Sequence, residues 1–210
     1  ARLGDRVRIG AKVNRVVMHP DHVEVRYTDQ QGDHVETARH VVMATIATVT
    51  HEVLEGAAPD LMAALSQIKY GPYVAGAFLT NEQHAVWDGS YGIAAPKRSF
   101  TIFTNQTSTV RTAEQAEGRG RSIGSSLFVF TATEWAHRLL GMDEPEIRRT
   151  YMEDLDQIFP GFSQTVTECV IAKWHQGQTF NFPGRAKLQP VLTRDHGRLH
   201  LAGDYLGTLY

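Results

Sequence analysis

Paired histidines, glycine-framed serines and a single cysteine are the side chains whose types and spacing could do chemistry in this chain. His19 and His22 stand three positions apart, a spacing that on a helix offers two metal ligands to one face. Pro20 and Asp21 lie between them and predict a turn, so that face is not available. No HExxH motif is present and no carboxylate cluster completes a set, so no metal is expected. A serine hydrolase needs its nucleophile on a strained G-x-S-x-G turn. Gly89-Ser90-Tyr91-Gly92 and Gly124-Ser125-Ser126 miss that spacing and read as loop and strand-edge residues. Cys169 lies in a strand-like run without an evident histidine partner, so packing rather than nucleophilic attack is its expected role.

Gly118-Arg119-Gly120-Arg121-Ser122-Ile123-Gly124 comes close to a dinucleotide fingerprint, whose glycines let a helix N-terminus meet a pyrophosphate. It is one residue too long, and a strand pattern follows it instead of a helix, so a flexible basic loop is expected. Arg111, Arg119 and Arg121 could meet an acidic substrate, but solvated loop charge is the plainer expectation. Trp174, Phe180 and Phe182 run into Pro183-Gly184-Arg185, an irregular aromatic segment that suits either packing or a pocket wall.

The elements that must position these residues are legible in outline. Val7–Ile9 and Lys12–Val17 are rich in β-branched residues, and 22–27 and 34–38 alternate polar with apolar, so the first 40 residues predict an antiparallel meander. Arg39–Thr45 is apolar on both faces, as a strand buried on both sides would be. A short helix is expected over 60–68 and a longer one over 143–159, the latter capped by Asp143 with Glu146 completing a capping box. Residues 73–80, 89–91, 100–103, 127–130, 168–173 and 199–204 read as further strands, with 107–122 an exposed loop or short helix.

Composition narrows the function classes. The 210 residues carry a formal net charge of −2, which argues against a non-specific nucleic-acid surface. Hydrophobic residues make up 42%, an ordinary globular share, and one cysteine cannot build a disulfide framework. No apolar run reaches the length of a transmembrane segment and no leader pattern opens the chain, so a cytoplasmic location is expected.

Four stretches, in order, resemble the FAD-dependent amine oxidases and protoporphyrinogen oxidase-like enzymes. Val7–Val16 with the alternating strand after it is similar to the family's β-meander beside the adenosine half of FAD, where Val13 would hold the adenine through its backbone. Ala38–Thr45 looks like the family's a-x-x-V-I-x-A-x-P strand, with Ile46 and Ala47 where a proline is common. Ile171–Trp174 through Phe182-Pro183-Gly184 is similar to the W … P-x-G segment that passes the flavin ring. Gly197–Asp204 looks like G-r-l-x-l-A-G-d, whose Gly-acid turn approaches the ribityl-pyrophosphate.

The resemblance implies an α+β fold: a mixed, largely antiparallel sheet flanked by helices, with a small β-meander from the FAD-binding domain. It implies a partial FAD-binding region at 1–52 and 195–210, and a substrate-binding domain at 53–194. Val13, Ala44, Thr45, Trp174, Gly203 and Asp204 would lie by the cofactor, and Tyr70, Tyr73 and Phe182 by a small-molecule substrate. Many relatives carry a lysine near flavin N5. Ala75 stands at that place here and Lys69 just before the strand, so Lys69 is the catalytic candidate and a lysine-free mechanism stays open.

The implied activity is oxidation of an amine or related small molecule by hydride transfer to FAD. The alternative is a non-catalytic substrate-domain fragment or binding module that does not hold FAD by itself. The family's G-x-G-x-x-G βαβ unit and its closing segment are not found in the 210 residues. The expectation is therefore a middle and late piece of a longer flavoenzyme, inactive without the remaining parts. A homodimer is left open.

Overall fold

The computed structural model describes residues 4–207, apart from the side chain of Asp5. The chain divides into two compact units, one of residues 1–69 with 179–210 and one of residues 70–178. The expected boundaries at 52/53 and 194/195 both fall inside the first unit, because short elements on either side of them pair with it.

The first unit opens with the meander that the alternation predicts. Strands β1 (Lys12–Met18), β2 (Val23–Asp29) and β3 (Gly32–Ala38) pair antiparallel in sequence. Val16, Val23 and Tyr27 are buried, one face inward. The register shifts between Val13 and Arg15. There Asn14 donates from Nδ2 to Thr28 Oγ1 at 2.7 Å, as a bulge that turns one side chain aside allows. Val7–Ile9 does not form the expected strand. Gly10 adopts φ +76°, a left-handed turn that breaks the extended path before β1 begins.

After β4 (Val41–Met43) come α1 (Ala47–Val53), β5 (Leu54–Glu55) and α2 (Pro59–Gln67). β5 lies parallel to β1, giving the sheet order β3-β2-β1-β5. The expectation of a strand buried on both sides over 39–45 is corrected: β4 has three residues, Met43 is buried and Val42 is 61% exposed.

The second unit is a five-stranded sheet with helices on one face. Its elements are β6 (Tyr70–Thr80), β7 (Gly92–Ala94), β8 (Ile102–Asn105), α3 (Ser108–Ala116), β9 (Ser126–Thr131), α4 (Thr133–Leu140), α5 (Glu144–Ile158), α6 (Phe162–Thr165) and β10 (Val166–Thr179). The strand order is β10-β6-β9-β8-β7, and β6–β9, β9–β8 and β8–β7 are antiparallel. Helix α5 starts as its sequence predicts, with Asp143 accepting the Glu146 N–H at 2.8 Å. Its Ile147, Tyr151 and Leu155 stripe is fully buried with Val74, Phe78, Phe103, Leu127 and Val129 from the strands and Phe162 from α6.

The chain then returns to the first unit through α7 (Gln189–Thr193) and β11 (Leu199–Leu201). β11 pairs parallel with β4, Leu199 opposite Val41 and Leu201 opposite Met43. The fold is thus α+β with largely antiparallel sheets flanked by helices. No described helix is long and apolar enough to cross a membrane.

Candidate functional site

In the first unit, the parallel pair decides where the candidate cofactor residues go. β4 and β11 run side by side and stop together, Ala202 N donating to the Met43 carbonyl at 2.9 Å. Ala44, Thr45, Gly203 and Asp204 therefore leave the pair at one shared carboxyl edge, the edge at which parallel α/β sheets bind ligands. Thr45 Oγ1 lies 2.8 Å from Thr50 Oγ1, tying this edge to α1.

Gly203 is extended, so its conformation is open to any residue; space is what restricts it. A Cβ there would lie 2.5 Å from Cε1 of the buried Tyr205 ring. Asp204 accepts the Thr179 N–H at 2.9 Å, and Phe180 N donates to the Lys69 carbonyl at 2.7 Å. Lys69 Nζ sits 5.4 Å from the centre of the Phe182 ring, a cation–π distance. Lys69, Phe182 and Asp204 are thus gathered by one stretch of backbone. Val13 lies apart on β1, 42% exposed, just before the bulge.

Arg185 was not singled out by sequence. It is 5% exposed and donates to the carbonyls of Tyr205 at 2.8 Å and Gly207 at 3.2 Å. Among the described residues it has no carboxylate partner, and its Nε is buried without a hydrogen bond. A buried cation answered only by neutral oxygens, beside a turn closed to a Cβ, fits an anionic cofactor group at this turn.

In the second unit, the face of the sheet away from α5 carries Tyr73, Ala75, Ala77 and Leu79 from β6, Phe128 and Phe130 from β9, and Ile102 and Thr104 from β8. The Phe128 and Phe130 rings are 4.4 Å apart and Tyr73 is 5.7 Å from Phe130. On β10, Cys169 and Ile171 join the core, and alternation puts Val170 on the open side. Leu79, Ile102 and Val170 are each more than 40% exposed there, and Trp174, further along β10, is 46% exposed. β10 crosses Tyr73 so closely that a Cβ on Gly177 would run into the Cβ of Tyr73. Burial raises the Tyr73 phenol pKa, so the phenol stays neutral. Tyr70 stands at the start of β6. Phe128, Phe130 and Ile102 share this face though the sequence did not single them out; for the two phenylalanines the signal was the unbroken apolar run Leu127–Phe130, which leaves neither face polar.

The remaining candidates find structural roles. Arg111 and Arg121 are not solvated loop charges but form a paired network at one corner of the second unit. Arg121 meets Glu82 at 2.8 Å and Asp88, while Arg111 meets Glu114 at 3.2 Å and the Gly124 carbonyl. Only Arg119 stays exposed, beside Glu117. Burial pushes the Glu82 carboxyl up, but hydrogen bonds from Ser125, Thr80 and Arg121 outweigh it and hold the carboxyl below its ordinary range. Cys169 is buried on β10, and burial raises its thiol pKa, which keeps it inert. His19 and His22 stack at 4.4 Å across their turn. Among the described residues, no group of three or more His, Cys, Asp or Glu side chains is placed to hold a metal ion.

Comparison with known proteins agrees with this architecture. The family model described as flavin containing amine oxidoreductase matches residues 1–210. No curated protein matches significantly. Among solved structures, the chain is similar to cyclohexylamine oxidase from Brevibacterium oxydans IH-35A, with a TM-score of 0.72, 16% identity, and 92% of this chain and 42% of that one covered. It is also similar to a putrescine oxidase bound to putrescine, with a TM-score of 0.71, 14% identity, and coverages of 95% and 44%. At these identities the likeness is one of fold, and the chain spans under half the length of either structure.

Proposed function

The chain belongs to the flavin containing amine oxidoreductase family, and we propose that it forms the substrate-facing sheet and part of the FAD-binding region of an enzyme that oxidises an amine or related small molecule. The observation that carries this reading is the shared carboxyl edge of β4 and β11. Ala44, Thr45, Gly203 and Asp204 would hold FAD there, with Val13 at its adenine end and Trp174 by the ring. Bound FAD supplies the hydride acceptor. Tyr70, Tyr73 and Phe182 orient the substrate body and keep water from it, which lowers the entropy cost of reaching the reacting geometry. The Lys69 ammonium, held over Phe182, is proposed to hold a proton-bearing group near the reacting atoms.

Mixing the chain with FAD, desalting, and reading the flavin absorbance tests the cofactor part. Retained absorbance that falls in Gly203→Val supports it, because the added side chain meets the buried Tyr205 ring and shifts the turn. A colourless protein after FAD addition overturns it for these residues.

A further inference from the structure

We propose that Arg185 and Gln189 are positioning residues for the cofactor edge, holding the three carbonyls that follow the Gly203–Asp204 turn with a planar fork that a lysine cannot replace. That role rests on the reading of this edge as part of an FAD site, and it accounts for what gives the edge its shape. The clamp begins at Phe182-Pro183-Gly184-Arg185, where Arg185 N donates to the Phe182 carbonyl at 3.1 Å. Pro183 presets φ at the second position, and Gly184 at the third takes φ +95° and ψ −9°, the left-handed conformation of a type II turn. The turn aims Arg185 inward and opens a short 3-10 stretch, Arg185–Leu188, that runs into α7.

Arg185 Nη2 donates to the Tyr205 carbonyl at 2.8 Å and Nη1 to the Gly207 carbonyl at 3.2 Å. Gln189 Nε2 donates to the Leu206 carbonyl between them, and its Oε1 accepts from Arg185 Nη1 at 3.3 Å. The same backbone reaches back to the edge. Leu206 N donates to the Gly203 carbonyl at 3.1 Å and Gly207 N to the Asp204 carbonyl at 3.0 Å. Clamp and turn are therefore one run of backbone, with the buried Tyr205 ring packed against Gly203. Arg185 is almost wholly buried, both terminal nitrogens face carbonyls and its Nε is buried, so it acts on a ligand through the turn and not by contact. A guanidinium spans two acceptors at a fixed separation, whereas an ammonium is a point donor on a flexible stem. Without the fork the Tyr205 and Gly207 carbonyls lose these partners, and the turn is free to shift.

Two readouts on the 210-residue chain test this. Amide exchange followed by NMR reads the clamp without cofactor, and flavin absorbance on titration with FAD reads its consequence. Arg185→Lys and Arg185→Ala should each speed exchange of the Leu206 and Gly207 amides and weaken FAD binding, both about tenfold, with circular dichroism unchanged. Added methylguanidinium should restore both readouts in Arg185→Ala, which a general loss of stability would not allow. Gly184→Ala, which strains the left-handed turn, should give the lysine result in milder form. Phe103→Ala, in the other unit, should lower stability and leave FAD binding unchanged. Slow exchange or undiminished FAD binding in Arg185→Lys overturns the proposal and leaves the cofactor reading standing. A parent chain that takes up no FAD overturns both.

Discussion

The two faces of the five-stranded sheet are built from the same strands and are both apolar, yet helices cover only one. On the covered face Phe103, Leu127, Val129 and Phe78 meet Tyr151, Leu155 and Phe162 with almost no exposure. On the other, Phe128, Phe130 and Tyr73 form a ring cluster, and Leu79 and Ile102 on the same face stay exposed. A sheet with one solvated face normally alternates apolar with polar. Here the alternation is between two kinds of apolar residue, so the second row is not explained by burial within this unit. Contiguous exposed apolar surface of this kind marks binding sites. The difference between the faces is one of cover: one row supplies stability under the helices, and the proposed substrate role falls to the other.

Substitutions can break or sharpen that contrast. The largest effect should come from Phe103→Ala on the covered face, which leaves a cavity beside Phe159 and should cost about 3–5 kcal/mol in denaturant unfolding. Glu82→Gln removes a charge from the Arg121 pair at the edge of the same unit and should cost about 2 kcal/mol at neutral pH. The folded state holds the Glu82 carboxyl below its ordinary range. Its contribution is therefore present above about pH 4.3 and is lost as pH falls through the folded value, and Glu82→Gln should flatten the acid limb of a stability–pH curve.

Tyr151→Phe deletes a hydroxyl 2.6 Å from Thr131 Oγ1 and should cost about 1 kcal/mol. Burial raises the Tyr151 pKa, so its stabilising contribution is complete below about pH 10 and declines as alkali ionises the unfolded chain's phenol first. The phenylalanine variant should show a shallower alkaline limb. Phe130→Ala on the open face loses its ring contacts with Phe128 and Tyr73 but opens no enclosed cavity, and should also cost only about 1 kcal/mol. A Phe130→Ala cost equal to that of Phe103→Ala would erase the distinction between the faces.

Much of the architecture was legible in the sequence because local rules and tertiary packing agreed there. The meander follows from period-two alternation closed by short turns, and α5 from Asp143, Pro145 at its start and the Ile147–Tyr151–Leu155 stripe. The cofactor edge was legible only through the ordered motifs, because β4 and β11 are three residues each and carry no periodicity of their own. Helix α4 was missed. It begins at Thr133 with φ +63°, a conformation that β-branched residues avoid, so no start signal marks it. The Arg121 pairing was not legible because charge pairing between residues 33 or more positions apart leaves no local pattern, whereas Arg111 and Glu114, three apart on α3, did carry one. Phe128 and Phe130 were read only as strand, since a run apolar at every position does not say which face a helix will cover.

The pairing of β4 with β11 also sets an order of assembly. His40, just before β4, and His200, in the middle of β11, stack although they are 160 positions apart. Everything in the second unit lies between them and is contiguous, so it can fold as soon as it leaves the ribosome. At roughly 5–20 residues per second, β4 waits on the order of ten to thirty seconds for its partner. The edge that would hold the cofactor is thus completed last, after the sheet that would receive the substrate has already formed.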